Sequence, residues 1–223
     1  MKIITVNYLL ILLLTVTVSF SCAQNVKETS NETVNNSTQE TDTADENKYL
    51  QIKNIPLPEG FTLLKNEENS FALWLENVSL KKDKTVYLFD GSQKQNQSAQ
   101  FAVLDIDVST KNLQQCADAV MRLRAEYLFA QQKFNDILFT DNDGTKYQFN
   151  LPHNRTNFTS YLERVFGMCG SASLSKQLKA VKDFSDIKAG DVLIKGGFPG
   201  HAVIIMLVAK NDTGNKIDRK SVV

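Results

Sequence analysis

The sequence predicts an α+β fold: a single domain with a mixed or antiparallel sheet and one long cysteine-bearing helix. Three observations carry this. Leu113, Cys116, Val120, Leu123 and Tyr127 recur at spacings of three and four, one apolar stripe of a helix over 111–132. Phe101-Ala102-Val103-Leu104-Asp105-Ile106-Asp107-Val108 ends in the apolar–polar alternation of a strand. Near the end, two β-rich apolar runs, 191–195 and 201–209, flank a turn built from Gly196, Gly197, Pro199 and Gly200. Helices and strands in this irregular order point away from a βαβ repeat. The chain has no internal repeat, coiled-coil heptads or membrane-length apolar run.

Residues 1–21 have the layout of a secretory signal peptide. Lys2 is its charged start, Tyr8 to Leu14 its short apolar centre, and Ser19-Phe20-Ser21 its small-residue end before Cys22. The apolar run is too short for a good membrane span. A cysteine directly after such a boundary resembles the lipobox of bacterial lipoproteins, which implies Cys22 as the acylated residue and a membrane as its partner. Residues 22–47 are rich in Asn, Thr, Ser, Glu and Gln. They offer too little apolar surface to offset ordering entropy and are expected to form a lipidated, disordered tether. Within it Asp42-Thr43-Ala44 resembles a glycosylation site of Bacteroidetes-type secreted proteins.

The expected domain spans residues 48–217. Ile55 to Phe61 is extended and turn-rich, and Ser70 caps a short helix through Phe71, Leu73, Trp74 and Leu75. Thr85–Phe89 reads as a strand closed by Asp90-Gly91, and 101–108 as a second. Ser109 or Thr110 then caps the long helix. A strand pair, 136–140 and 145–149, is joined by Asp143-Gly144, and helices follow at 156–166 and 173–181 before the hairpin. Asp218-Arg219-Lys220-Ser221-Val222-Val223 matches the translation of a sequencing-adapter oligonucleotide. Residues 218–223 are therefore expected to be an artefact, the domain to be truncated near Ile217, and the final strand to be left as an exposed edge.

Basic and acidic residues balance, 25 against 25. An evenly mixed surface argues against nucleic acid as a partner. There is no phosphate-binding glycine loop, HExxH or paired CxxC, so no cofactor or metal is expected. Of the 3 cysteines, Cys116 and Cys169 remain after Cys22. They could pair in an oxidising compartment, either could be a buried apolar residue, or one could be a nucleophile. Asp105 and Asp107 share a strand face and read as solvent-facing. Lys94, Asn96 and Gln97 form a polar loop, His153 an exposed turn, and Cys169 a small buried residue.

A cysteine near the start of a helix, followed later by Gly190-Asp191-Val192 and Gly200-His201-Ala202-Val203-Ile204, resembles papain-like hydrolases of the NlpC and CHAP cell-wall peptidase type. The resemblance implies Cys116 as nucleophile, His201 as general base, and backbone N–H groups near Gln115 and Cys116 as an oxyanion hole. It implies peptide or amide substrates in the cell envelope, including peptidoglycan. Cys116 departs from the pattern by standing on the apolar stripe, with its expected place about a turn inside the helix. The orienting polar residue, normally on the next strand, falls beyond the chain. Over residues 55–209 the sequence resembles more closely a Bacteroidetes lipoprotein family of unknown function. The motifs are Phe71-Ala72-Leu73-Trp74-Leu75, Leu88-Phe89-Asp90-Gly91, the 113–127 helix and Gly196 to Ile204. That family implies an anchor and a compartment. The competing expectation is a non-catalytic envelope binding or assembly lipoprotein on the same scaffold.

Overall fold

The computed structural model describes residues 2–4 and 46–221. Most of the expected signal, with Cys22 and the tether as far as residue 45, lies outside the described residues. Asn47 is buried and held by the fold. Its backbone N–H donates to Lys82 O, and its side chain donates to Tyr49 O and Lys81 O.

The fold is α+β, as expected. Its strands are β1 (Lys2–Ile4), β2 (Phe61–Leu63), β3 (Leu138–Thr140), β4 (Lys146–Gln148), β5 (Lys179–Ala180), β6 (Val192–Lys195), β7 (His201–Asn211) and β8 (Lys216–Ser221). Its helices are α1 (Phe71–Glu76), α2 (Cys116–Ala130), α3 (Arg155–Met168) and α4 (Ser171–Gln177). The main sheet is mixed, in the order β2-β7-β6-β1-β5, with β8 also on β7. The short strand β1 pairs in parallel with both β5 and β6, and the other main-sheet pairings are antiparallel. Strands β3 and β4 form a separate hairpin.

Strand β7 organises the domain. Ile204 pairs with both Val192 and Ser221, and Ala209 with both Leu63 and Ile217. So β6 and β2 share one side of β7 while β8 lines the other. The predicted exposed edge is therefore absent, because residues 216–221 cover it.

Both faces of β7 are buried, which explains its unbroken apolar run, since alternation is lost when neither face meets water. Val192, Ile194, Ala202 and Ile204 join the main core with Val120, Met121 and Leu123 of α2, Phe158 and Leu162 of α3, and Leu174 of α4. Ile205 and Val208 face a smaller cluster with Ile187, Leu64, Val181 and Leu193. A register shift between Ile205 and Leu207 returns Leu207 and Ala209 to the main core. A bulge of this kind inverts the alternation beyond it.

The strands predicted at 85–89 and 101–108 do not form. Only isolated bridges, Leu80 with Leu104 and Tyr87 with Gln93, remain there. Side chains have captured the backbone instead. Asp83 accepts from Thr85 N, Asp90 from Ser92 N, and Gln97 both accepts from Val86 N and donates to Val86 O. Such local bonds compete directly with a ladder. Asp105 and Asp107 are exposed, as expected.

Candidate functional site

The long helix is shorter than predicted, and the difference matters chemically. Gln115 is extended (φ −104°, ψ −174°), so the first helical residue is Cys116. The start is fixed by Asp118, whose Oδ2 accepts the Gln115 N–H at 2.8 Å. Cys116 therefore stands in the first turn, where N–H groups lack intrahelical acceptors and the helix dipole is positive. It is a free thiol and half-buried, whereas Val120, Leu123 and Tyr127 further along the stripe are buried. Among the described residues the N–H groups of Cys116 and Ala117 donate to no acceptor. The Gln115 N–H is engaged by Asp118 and cannot serve in the expected oxyanion hole.

Cys169, at the end of α3, is also free, so the disulfide alternative falls. It is buried, and burial pushes its thiol up to about 11, with the nearby Asp141 and Asp118 carboxylates adding to the rise and Ser173 opposing it. A thiol held in its neutral form suits a core residue rather than a nucleophile.

The hairpin that carries His201 is anchored on α4. Ser171 Oγ donates to Gly197 O at 3.2 Å. A Cβ on Gly200 would collide with Ser171 Oγ and come within 2.6 Å of Gly197 O, while one on Gly196 would collide with Ser175 Oγ. These glycines are spacing devices that let the turn lie against the helix. Gly190 has φ +93°, and a Cβ there would meet Phe71 at 2.9 Å. Asp191 is buried and accepts from Lys188 N. The Gly-Asp half of the motif is thus explained by packing.

His201 is exposed at the start of β7, opposite Lys195. Alternation sets it on the face of Val203 and Ile205, while Ala202 and Ile204 point into the core that α2 packs against. Among the described residues no hydrogen bond joins Cys116 to His201. The fold thus brings the helix of one against the strand of the other, with His201 on the strand face away from the core that α2 packs on. His153 is half-buried rather than exposed, stacked on Phe134 at 4.2 Å within the aromatic cluster of Phe129, Phe149 and Phe158.

The family model described as a domain of unknown function (4846) matches residues 51–153 and 150–218. The chain belongs to this family. Both Cys116 and His201 lie inside the matched regions. No curated protein matches the chain, and no solved structure matches it.

The residue that sequence reasoning passed over is Asp118. It is 4% exposed, and burial pushes its carboxyl up to about 7 against the opposing effect of the Gln115 N–H. Its position three residues after the N-cap was the available signal, because acidic residues there commonly turn back on the cap. Among the described residues no cluster of three or more His, Cys, Asp or Glu side chains is arranged to hold a metal. Two surface depressions, one lined by Gln132 to Asp136 and His153, the other including Arg124, Leu138 and Gln177, include neither Cys116 nor His201.

Proposed function

We propose that the domain is a thiol hydrolase of peptide or amide bonds in the cell envelope, held at a membrane by acylated Cys22. The observation that carries the hydrolase reading is the placement of Cys116. It is a free, half-buried thiol at the first position of a helix packed on the strand that His201 begins. A helix N-terminus favours a thiolate, and the free N–H groups of Cys116 and Ala117 are suited to a developing oxyanion.

In this reading His201 takes the thiol proton as Cys116 Sγ attacks the carbonyl carbon and forms a C–S bond. The C–N bond then breaks, and the His201 proton passes to the leaving amine. Water, deprotonated by the same imidazole, hydrolyses the thioester and restores the thiol. His201 has to turn from the Val203 face towards α2 for this to occur.

The test is digestion of purified peptidoglycan and of envelope-type peptides, followed by chromatography of the fragments. Cys116→Ser and His201→Ala should each abolish amide cleavage, and His153→Ala should leave it unchanged. Cleavage that survives Cys116→Ser refutes the reaction.

The position of His201 favours a second reading, a non-catalytic envelope binding or assembly protein on the same scaffold. Folded wild-type protein that cleaves none of these substrates, while retaining peptidoglycan or peptide in a pull-down, supports it.

The anchor rests on Ser19-Phe20-Ser21-Cys22 and the polar segment after it. Incorporation of labelled fatty acid that is lost in Cys22→Ser tests it. Processing at Cys22 would also remove β1 from between β5 and β6.

A further inference from the structure

The main sheet includes a strand from outside the expected domain. Strand β1, residues 2–4, lies between β5 and β6 and runs parallel to both, with Ile3 opposite Ala180 and Val192, and Ile4 opposite Leu193. Among the described residues β5 joins the sheet only through β1. Yet residues 2–4 belong to the segment read as a signal, which leaves the chain when Cys22 is processed.

The place that β1 vacates is held open from both sides. Leu178, just before β5, packs on the main core, and Val181, just after it, packs on the smaller cluster with Ile187 and Ile205. Gln177 donates to Thr140 O and accepts from Thr140 N, each at 2.9 Å. These contacts do not involve β1, and they keep β5 about 10 Å from β6, two strand spacings away. On its other side β6 is fixed by pairing with β7, from Val192 opposite Ile204 to Lys195 opposite His201. A strand paired on one side only presents a row of unpaired N–H and C=O groups on the other.

We infer that the slot between β5 and β6 is a docking site for an extended segment of another protein, added as a strand parallel to β6 once the N-terminal segment has left. From the proposed function only the processing at Cys22 is needed. The strand already seated in the slot and the residues of β6 define the occupant. Val192 belongs to the main core and Leu193 to the smaller cluster, so the slot has apolar surroundings on both faces of the sheet. A strand buried on both faces needs consecutive apolar residues rather than alternation, and Ile3-Ile4 meets that need. The ligand class is therefore an extended peptide with two adjacent apolar, β-branched residues. Its main chain supplies affinity through the ladder, and the two apolar faces supply specificity. In this register its C-terminal continuation runs beside Ile194 towards Lys195, the residue opposite His201.

The test uses the chain expressed with its signal and solubilised from membranes, its N-terminus read by mass spectrometry. The probe is a fluorescent peptide of residues 1–7. The control is the same peptide carrying Ile3→Pro, which removes a ladder N–H. In fluorescence anisotropy the processed protein should bind the probe about tenfold more tightly than the control. The probe should also slow hydrogen exchange across Val192–Lys195. No binding, equal affinity for probe and control, or binding without slowed exchange in that strand overturns the inference.

Two results obtained without probe also overturn it. Slow exchange at 192–195 in the processed monomer means that β5 has closed onto β6. Slowing that appears only as the protein dimerises makes a second copy the occupant. If the purified chain still carries residues 2–4, the anchor reading fails by itself, and the slot is decided in that chain. The wild type should then exclude the probe, and its Ile3→Pro variant should bind it; equal binding by the two overturns the inference.

Discussion

Replacing Asp118 by Asn should stabilise the domain more at pH 8 than at pH 5. The carboxyl titrates at about 7 in the folded protein against an ordinary 3.8, because burial penalises the charged form more than the Gln115 N–H favours it. A group with a raised folded value holds its proton more tightly when folded. Its contribution to stability is fully present below pH 3.8 and is lost as the pH rises through 7. At about 1.4 kcal/mol per unit, the full loss is about 4 kcal/mol. Asparagine removes that loss but weakens the bond to the Gln115 N–H by about 1 kcal/mol, since the acceptor is no longer charged. The net expectation is a gain of about 3 kcal/mol at pH 8, falling to about 1–2 kcal/mol at pH 5, where the unfolded carboxyl is already ionised and the folded one still holds its proton. Urea unfolding at pH 5, 6.5 and 8 measures this directly, with the midpoint shift read at constant slope. Glu76 is likewise raised by burial and shifts both proteins equally, so it cancels in the difference. A difference between variant and wild type that stays constant from pH 5 to 8 would refute the reasoning.

Four further outcomes follow from the packing. Gly200→Ala should cost about 2–3 kcal/mol, because the new methyl meets backbone as well as Ser171, and Ser171→Gly in the same chain should restore only part of it; thermal melts measure both. Phe158→Ala, at a fully buried ring 4.5 Å from Phe129, should cost about 3–5 kcal/mol in denaturant unfolding. Ser70→Ala removes the oxygen that accepts the Leu73 N–H and should cost about 1 kcal/mol in the same assay. A chain beginning at residue 46 should still unfold cooperatively, because the core residues lie at Ile52 and beyond; hydrogen exchange should then quicken along the β6 edge that β1 otherwise covers. A non-cooperative transition would show that β1 is structural.

Local rules made part of this protein legible. The three-four spacing of Val120, Leu123 and Tyr127 fixed the inward face of α2, and glycine and proline marked the β6–β7 turn. The two apolar runs became β6 and β7 almost as drawn. The segment 81–108 was not legible, because hydrophobic alternation cannot register that Asp83, Asp90 and Gln97 will take the backbone hydrogen bonds first. Nor was the start of α2, where the apolar stripe runs back to Leu113 while the Asp118 carboxylate ends the helix at Cys116.

The sequence by itself determined the α+β class, the core helix, the hairpin and the two residues worth testing, Cys116 and His201, since each depends on neighbours along the chain. Tertiary structure alone decided the rest. It put Cys116 in the first turn of α2, buried Asp118 without a partner for one oxygen, sealed Cys169 in the core, and covered β7 with residues 216–221. It also set His201 on the strand face away from α2. Burial and facing depend on which surfaces meet across the core, and strand alternation converts a one-residue difference in register into the opposite side of a sheet.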